Sequence, residues 1–297
     1  MKKISIAMAT YNGEKYLRTQ LDSILLQTIP FEELVIVDDA STDSTWGIIS
    51  EYAEKDDRIK PFRNERNMGV TKNFERALAY CTGDYIALSD QDDIWFPDHL
   101  EILAEEIGNN YLIAGDAEIA NSNGVPQGVK LSYYENCDRI PDDNLKKAYA
   151  ILFNKNSWYG SLMMIKKELL EKALPIPEIN NLHDVWISTL ACFSGGGMKR
   201  IDKIIMYYRR HENTVTGNIY RDPRIKNMLR RLKAYRMLAH RPLLTAAIRS
   251  RLATNLTKKQ IRVLDRADRY YQRRKTLSGR IRNLFFDIMH FKSIYSC

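Results

Sequence analysis

Gly83-Asp84-Tyr85-Ile86-Ala87-Leu88-Ser89-Asp90-Gln91-Asp92-Asp93 is the stretch on which the fold turns. A short apolar run, Tyr85–Leu88, has the length and composition of a buried strand, and it stops in three carboxylates within four residues. Upstream, Asn67-Met68-Gly69 reads as a turn into a helix with Phe74, Ala77, Leu78 and Cys81 on one face, and Gly83 reads as the C′ residue that ends it. Further back the same rhythm recurs. Ile4–Ala9 reads as a strand, and Tyr16, Leu17, Leu21, Ile24 and Leu25 fall at helical spacing behind the turn Asn12-Gly13. Glu33–Val37 reads as a second strand. Ser41-Thr42-Asp43-Ser44 then offers N-caps for a helix carrying Trp46, Ile49 and Tyr52, and Arg58–Phe62 reads as a third strand. Strand and helix alternating at this pace predict βαβ units: an α/β fold with a mostly parallel, mixed sheet and helices on both faces.

Downstream the pattern loosens. Residues 121–128 read as a turn-rich connection, 146–153 as a helix, 161–165 as a strand, 184–193 as a helix and 199–208 as a last strand. Beyond a boundary set near residue 218, Ile225, Met228, Leu229, Leu232 and Tyr235 form an apolar stripe among basic residues, and helices are expected around 243–253, 257–275 and 280–295. Two regions follow: 1–218 as an α/β domain and 219–297 as a basic helical segment. The net charge of +8 hides this division. Residues 219–297 hold 21 Lys/Arg against 4 Asp/Glu, whereas residues 1–218 carry a net −9. Such a segment is drawn to an anionic surface, phospholipid or nucleic acid.

The 297 residues, 44% hydrophobic and 28% charged, describe a globular chain with a sizeable core. Its four cysteines form no CxxC pair and indicate neither a zinc site nor a disulfide framework, so a reducing cytoplasmic setting is expected. The apolar run after Met1-Lys2-Lys3 is too short for a signal-peptide core, and no run is long enough to span a bilayer.

Ligands of open α/β sheets bind beyond the carboxyl ends of the strands. The residues there are Thr10-Tyr11-Asn12, Asp38-Asp39 and Asp90-Gln91-Asp92-Asp93. Neither a GxGxxG after the first strand nor a GxxxxGK[ST] is present, which removes support for dinucleotide enzymes and P-loop NTPases. Clustered carboxylates are unfavourable unless neutralised, and oxygen ligands suit Mg²⁺ or Mn²⁺ bridging to substrate phosphates. On spacing alone each signal has a plainer reading. Asp90, Asp92 and Asp93 would cap a helix near Pro97, Asp38-Asp39 would cap the helix that follows, His183-Asp184 would begin another, and His211 would be a surface-loop histidine.

Taken in order, these segments resemble the family 2 glycosyltransferases of GT-A fold over roughly residues 3–218. The resemblance rests on Ile6–Asn12, Val35–Asp43, Arg66-Asn67-Met68-Gly69 with Asn73, Gly83–Asp93, His183-Asp184-Val185-Trp186, and Tyr208-Arg209-Arg210-His211 with Asn213 and Gly217. Ser89–Trp95 and the HDxW wording are most similar to the bacterial rhamnosyltransferase-type branch of O-antigen and capsule synthesis.

What the resemblance implies is an inverting, metal-dependent transferase. It would move a sugar, rhamnose in that branch, from a dTDP- or UDP-linked donor to a lipid-linked saccharide acceptor, working peripherally at the inner face of the cytoplasmic membrane. Thr10, Tyr11 and Asp39 would hold the nucleotide base. Asp92, with Asp90 and His211, would hold Mn²⁺ or Mg²⁺, and Asp184 would be the general base. Arg209, Arg210, Asn67 and Lys72 would face the donor. His183 departs from the acidic residue more usual before the aspartate.

The basic segment lies outside the family core. Arg280–Phe286 through Ile288, Phe291 and Ile294 reads as an interfacial helix for an anionic membrane surface. The competing reading is a nucleic-acid-binding protein that uses these helices, against which an acidic body would repel a phosphate backbone.

Overall fold

The computed structural model describes residues 2–135, 142–153, 159–179, 183–212 and 241–273. A nine-stranded mixed sheet runs through it. Strands β1 (Ile4–Thr10), β2 (Glu33–Asp38), β3 (Ile59–Arg63) and β4 (Tyr85–Ser89) pair in parallel in the order β3-β2-β1-β4, with helices α1 (Leu17–Leu25), α2 (Thr45–Lys55) and α3 (Val70–Tyr80) as the crossovers. The chain then makes a two-residue strand β5 (Ile94–Trp95), helix α4 (His99–Glu106), long strand β6 (Leu112–Ala120), strand β7 (Pro126–Lys130) and the short helix α5 (Leu131–Glu135). Helix α6 (Asn144–Phe153), strand β8 (Met163–Lys166), helices α7 (Lys167–Ala173) and α8 (His183–Phe193), and strand β9 (Met198–Arg209) complete the body. β8 lies antiparallel between β4 and β6, β9 runs parallel to β6, and β5 closes the far edge against β9.

The expected α/β architecture is therefore present, with parallel pairing concentrated where the βα rhythm was visible. β1 is buried along nearly its whole length, as a strand covered on both faces must be. One apolar layer packs α1, α2 and α4 on one face, and the other packs α3, α6 and α8 on the opposite face. Two details differ from the sequence reading. The helix before β4 stops at Tyr80 with an extended Cys81, so Gly83 is not its C′ residue. A Cβ at Gly83 would instead lie 2.8 Å from the Ser5 nitrogen and 2.9 Å from the Lys3 carbonyl oxygen, so this glycine lets the start of β4 close on β1. The stretch read only as a turn-rich connection contains a hairpin, in which β7 pairs back on β6.

Helices α9 (Arg241–Arg251) and α10 (Lys258–Arg273) are continuous with the main core. Leu244, Ile248, Leu264, Ala267, Tyr270 and Tyr271 are buried in the same layer as α6 and α8. The Arg251 guanidinium donates to the carbonyls of Lys172, Leu174 (3.0 Å) and Pro175 (2.9 Å), and Gln260 donates to the Phe193 carbonyl at 2.9 Å. The helices expected around 243–253 and 257–275 are thus found. The boundary near 218, the stripe at 225–235 and the helix at 280–295 lie outside the described residues. No helix among the described residues is long and apolar enough to cross a membrane.

Two glycines give opposite expectations. Gly47 sits within α2 with nothing within 4 Å of a Cβ, so Gly47→Ala should stabilise by about 0.5–1 kcal/mol. Gly83→Ala must push backbone aside and should cost about 1–3 kcal/mol. Urea unfolding of both variants, with unchanged slope, checks the pair. Equal midpoints would refute the close-approach account of Gly83.

Candidate active site

Strand order reverses at β1, which is flanked by β2 on one side and β4 on the other, so a crevice opens beyond the carboxyl ends of β1 and β4. The loops there are fixed by side chains bonded to backbone. Asp38 is fully buried. It accepts from the Ser41 amide (3.0 Å) and hydroxyl and from Thr10 Oγ1 (3.3 Å), forms an ion pair with Arg63 Nε (3.2 Å), and holds the turn in which Ala40 takes a positive φ of 59°. Asp39, also buried, accepts from Asn64 Nδ2 (2.7 Å) and from the amides of Met68 (2.8 Å) and Gly69 (2.8 Å). Neither aspartate caps α2. The N-cap is Ser44, and Asp43 just before it accepts from the Thr45 amide at 3.0 Å. Asn73 donates to the Val37 carbonyl at 2.8 Å and ties α3 to the same crevice. Gln91 was missed by sequence reasoning. Its side-chain amide accepts from the Tyr11 nitrogen (2.9 Å) and donates to the Tyr11 carbonyl (3.1 Å), clipping the β1 loop to the acidic loop. The only sequence trace of that clip is Gly13, where a Cβ would strike the Gln91 amide.

The acidic loop does not cap a helix. β5 intervenes, and α4 starts at His99 behind Asp98. Asp93 is completely buried. Its Oδ1 accepts from the Arg209 amide at 3.2 Å, and its Oδ2 has no hydrogen-bond partner. Loss of hydration, followed by the charges of Asp92 and Asp90, pushes its carboxyl well above the ordinary range. Asp90 is pushed up to about 7 by loss of hydration, then by Asp92 and Asp184, with the Ser161 hydroxyl acting in the opposite sense. Asp184 thus feels Asp90 electrostatically from the first turn of α8, although the two are 94 positions apart in sequence.

His211 is not a surface histidine. It is 7% exposed, its Nε2 lies 2.7 Å from Asp92 Oδ2, and its ring meets Tyr16 at 4.4 Å. The Arg209 guanidinium lies 4.8 Å from the centroid of the same Tyr16 ring. Burial lowers the Arg209 pKa, while Asp92 and Asp93 oppose that shift. Tyr16, read in the sequence as a plain helix-face residue, is therefore the platform for both groups. His183 stacks on Phe74 at 3.8 Å, and burial lowers it to about 3, so it is neutral.

The other expected residues stand further out. Arg210 lies over Tyr134 at 4.2 Å and lines, with Lys15, Tyr16, Asn121 and His211, a pocket of about 390 Å³ beside the acidic loop. Asn67 is exposed and accepts from the Gly69 amide at 3.1 Å. Lys72 is paired with Glu75 (3.3 Å) and Glu178 (3.8 Å). Thr10 is buried beneath the crevice, and Tyr11 is exposed at its rim.

The family model described as glycosyl transferase family 2 matches residues 5–174. The chain belongs to that family. Its sheet and helices have the GT-A fold, and the family makes it a glycosyltransferase. It is 30% identical over 222 residues to the putative teichuronic acid biosynthesis glycosyltransferase TuaG of Bacillus subtilis, covering 72% of this chain and 82% of that one. It is 36% identical over 124 residues to the UDP-Glc:alpha-D-GlcNAc-diphosphoundecaprenol beta-1,3-glucosyltransferase WfgD of Escherichia coli, covering 41% of this chain and 48% of that one. Against three further relatives the chain covers less than two thirds of their length, at 65%, 36% and 64%. Among solved structures, S. aureus TarS 1–349 in complex with UDP-GlcNAc matches with a TM-score of 0.63 at 22% identity, over 92% of this chain and 72% of that one. The mannosyltransferase PcManGT of Pyrobaculum calidifontis, in complex with GDP-Man and Mn²⁺, matches with 0.58 at 17% identity, over 99% and 82%.

The charge crowding of this transferase sets its pH response. A carboxyl held above its unfolded value contributes stability below about pH 4 and loses that contribution as pH rises through about 7. In buffer free of divalent cations, Asp90→Asn should therefore have a flatter profile of Tm against pH. It should lie above the wild type at pH 8 and converge with it near pH 4. Parallel profiles would show that Asp90 is not desolvated in the way described.

Proposed function

We propose that the chain transfers a sugar, with inversion at the anomeric carbon, from a UDP- or dTDP-linked donor to a lipid-linked saccharide acceptor in bacterial cell-surface polysaccharide synthesis. The observation that carries this reading is the convergence of Asp90, Asp92, Asp93 and Asp184 on one crevice, with His211 on Asp92 and Arg209 behind them. The likeness to TuaG, a putative teichuronic acid biosynthesis glycosyltransferase, and to WfgD, which acts on a diphosphoundecaprenol-linked sugar, supports the class of product and acceptor. The rhamnose implied by the motif wording remains part of the proposal.

In this reading Asp184 takes the proton of the acceptor hydroxyl as its oxygen attacks the anomeric carbon. The bond from that carbon to the diphosphate oxygen breaks, and the electron pair leaves with the nucleoside diphosphate. Asp39 keeps one acceptor site beyond its three bonds for a pyrimidine N3–H. Tyr11 lies where a base stacks, and Thr10 fixes the loop beneath it. Arg209 and Arg210 offset phosphate charge, with Asn67 and Lys72 further along the donor.

A divalent ion fits the chemistry of these residues. Asp93 Oδ2 is buried and unpartnered, the Asp90 carboxyl is pushed up by loss of hydration and by the neighbouring Asp92 and Asp184, and carboxylate oxygens with one imidazole suit Mn²⁺ or Mg²⁺. Among the described residues no three such side chains are already gathered as a metal cluster, so Asp92 and His211, with Asp90 nearby, would hold the ion together with donor phosphates. When bound, the ion would neutralise charge on the departing diphosphate.

Two measurements test the reading. Asp184→Asn should keep donor binding by calorimetry and lose about a hundredfold to ten-thousandfold in kcat. Asp92→Ala should fold normally and lose turnover, as should the wild type in excess EDTA. Near-normal kcat in Asp184→Asn would move the base elsewhere, and full activity in EDTA would remove the metal from the mechanism.

A further inference from the structure

Helix α10 divides its surface sharply. Leu264, Ala267 and Tyr271 face the core, and Asp265 and Asp268 on the flank are engaged by Arg249 at 2.7 and 3.1 Å. The remaining face carries Lys259, Arg262, Arg266, Arg269 and Arg273, all exposed, at spacings of three, four, three and four residues. That spacing follows the helical repeat, so the five cations form one row about 21 Å long. The helix holds no other carboxylates than the two that Arg249 engages.

We infer that this row is a docking surface for the anionic phospholipid headgroups of a membrane. A flat array of negative charge meets a straight row of cations without deforming either partner. Long Arg and Lys stems let the charges reach the headgroups while the helix stays on the body. The apolar face of α10 is already committed to the protein core, so the contact is electrostatic at headgroup level and not an insertion into acyl chains. Nucleic acid fits less well. The row contains no aromatic or amide side chain to stack on or read a base, and a wrapped duplex would meet residues 1–218, which carry a net −9. The inference stands independently of the assignment of Asp184, because it concerns only where the protein resides.

Each basic residue at an anionic surface contributes about fivefold in partition, screened by salt. The experiment is co-sedimentation of the full chain with vesicles of phosphatidylglycerol and phosphatidylcholine, against phosphatidylcholine alone, at low and high salt. Lys259→Gln, Arg262→Gln and Arg269→Gln combined should lower partition roughly a hundredfold with an unchanged Tm. Arg262→Lys with Arg269→Lys should bind as the wild type does, and so should Lys55→Gln, Lys60→Gln and Lys203→Gln combined, which removes three charges from other elements. Wild-type binding by the α10 triple variant, equal binding to neutral vesicles, or a salt-sensitive shift with duplex DNA in place of vesicle binding would each overturn the assignment. Turnover with a soluble acceptor should be the same in all these variants, which separates loss of docking from loss of the transferase.

Discussion

The structure depends on the concentration of negative charge at the end of β4. Asp90, Asp92 and Asp93 stand within four residues, and Asp184 adds a fourth carboxylate from α8. In a crevice of low polarity, uncompensated like charges either bind protons or recruit cations. Both happen here. Asp90 and Asp93 hold protons more tightly than usual, while β9 returns along the sheet to deliver the Arg209 amide to Asp93 and the His211 ring to Asp92. The second half of the sheet can thus be understood as scaffold for that return. β6 pairs with β9 over most of its length, β5 locks the loop against β9, and Tyr16, immediately before α1, supports both the arginine and the histidine.

Around this charged centre the loops are rigid because buried polar groups are satisfied by backbone. Asp38, Asp39, Asn73 and Gln91 join the chain ends beyond β1, β2 and β3 to one another: Asp38 holds Ser41, Asp39 holds Met68 and Gly69, Asn73 reaches the Val37 carbonyl and Gln91 clips Tyr11. A loop so held is already ordered when a donor arrives, so binding costs less conformational entropy. The contrast between Asp38 and Asp39 shows how close structural and binding roles lie. Asp38 is enclosed by Ser41, Thr10 and Arg63, whereas Asp39 is turned toward the Asn67-Met68-Gly69 turn at the crevice edge.

The first half of the fold was legible because each strand there is a short apolar run punctuated by caps and turns. β6 was not, although it is the strand on which β7, β8 and β9 all pair. Leu112–Ala120 carries Gly115 and Asp116 in its middle, which break any apolar run, and both are explained only by tertiary contact. A Cβ at Gly115 would strike Ile205, and buried Asp116 accepts from the Ser132 amide at 3.1 Å. β5 is too short to carry a pattern at all. In the site, the order of the carboxylates and His211 was visible in the sequence, whereas Gln91, Ser161 and the Tyr16 platform were not. Their roles arise from what the fold brings beside them, and nothing in their local sequence marks it.

The family match ends at residue 174, before Asp184, Arg209 and His211. What lies inside it is the switch-point crevice with its clipped loops, the part that any nucleotide-linked donor would need. What lies outside it are α8, β9 and the two helices that pack on them, which bring the carboxylate assigned as base, the cation and the imidazole. A base must touch the acceptor and not only the donor, so under the role proposed for Asp184 the elements that position it would be the ones that meet the acceptor. α8 is held from behind by α6 and α9, and the Gln260 bond joins its far end to the start of α10. The same packing that aims Asp184 into the crevice therefore fixes the basic row of α10 relative to it, so a surface bound by that row would set the direction from which a lipid-linked acceptor reaches the base.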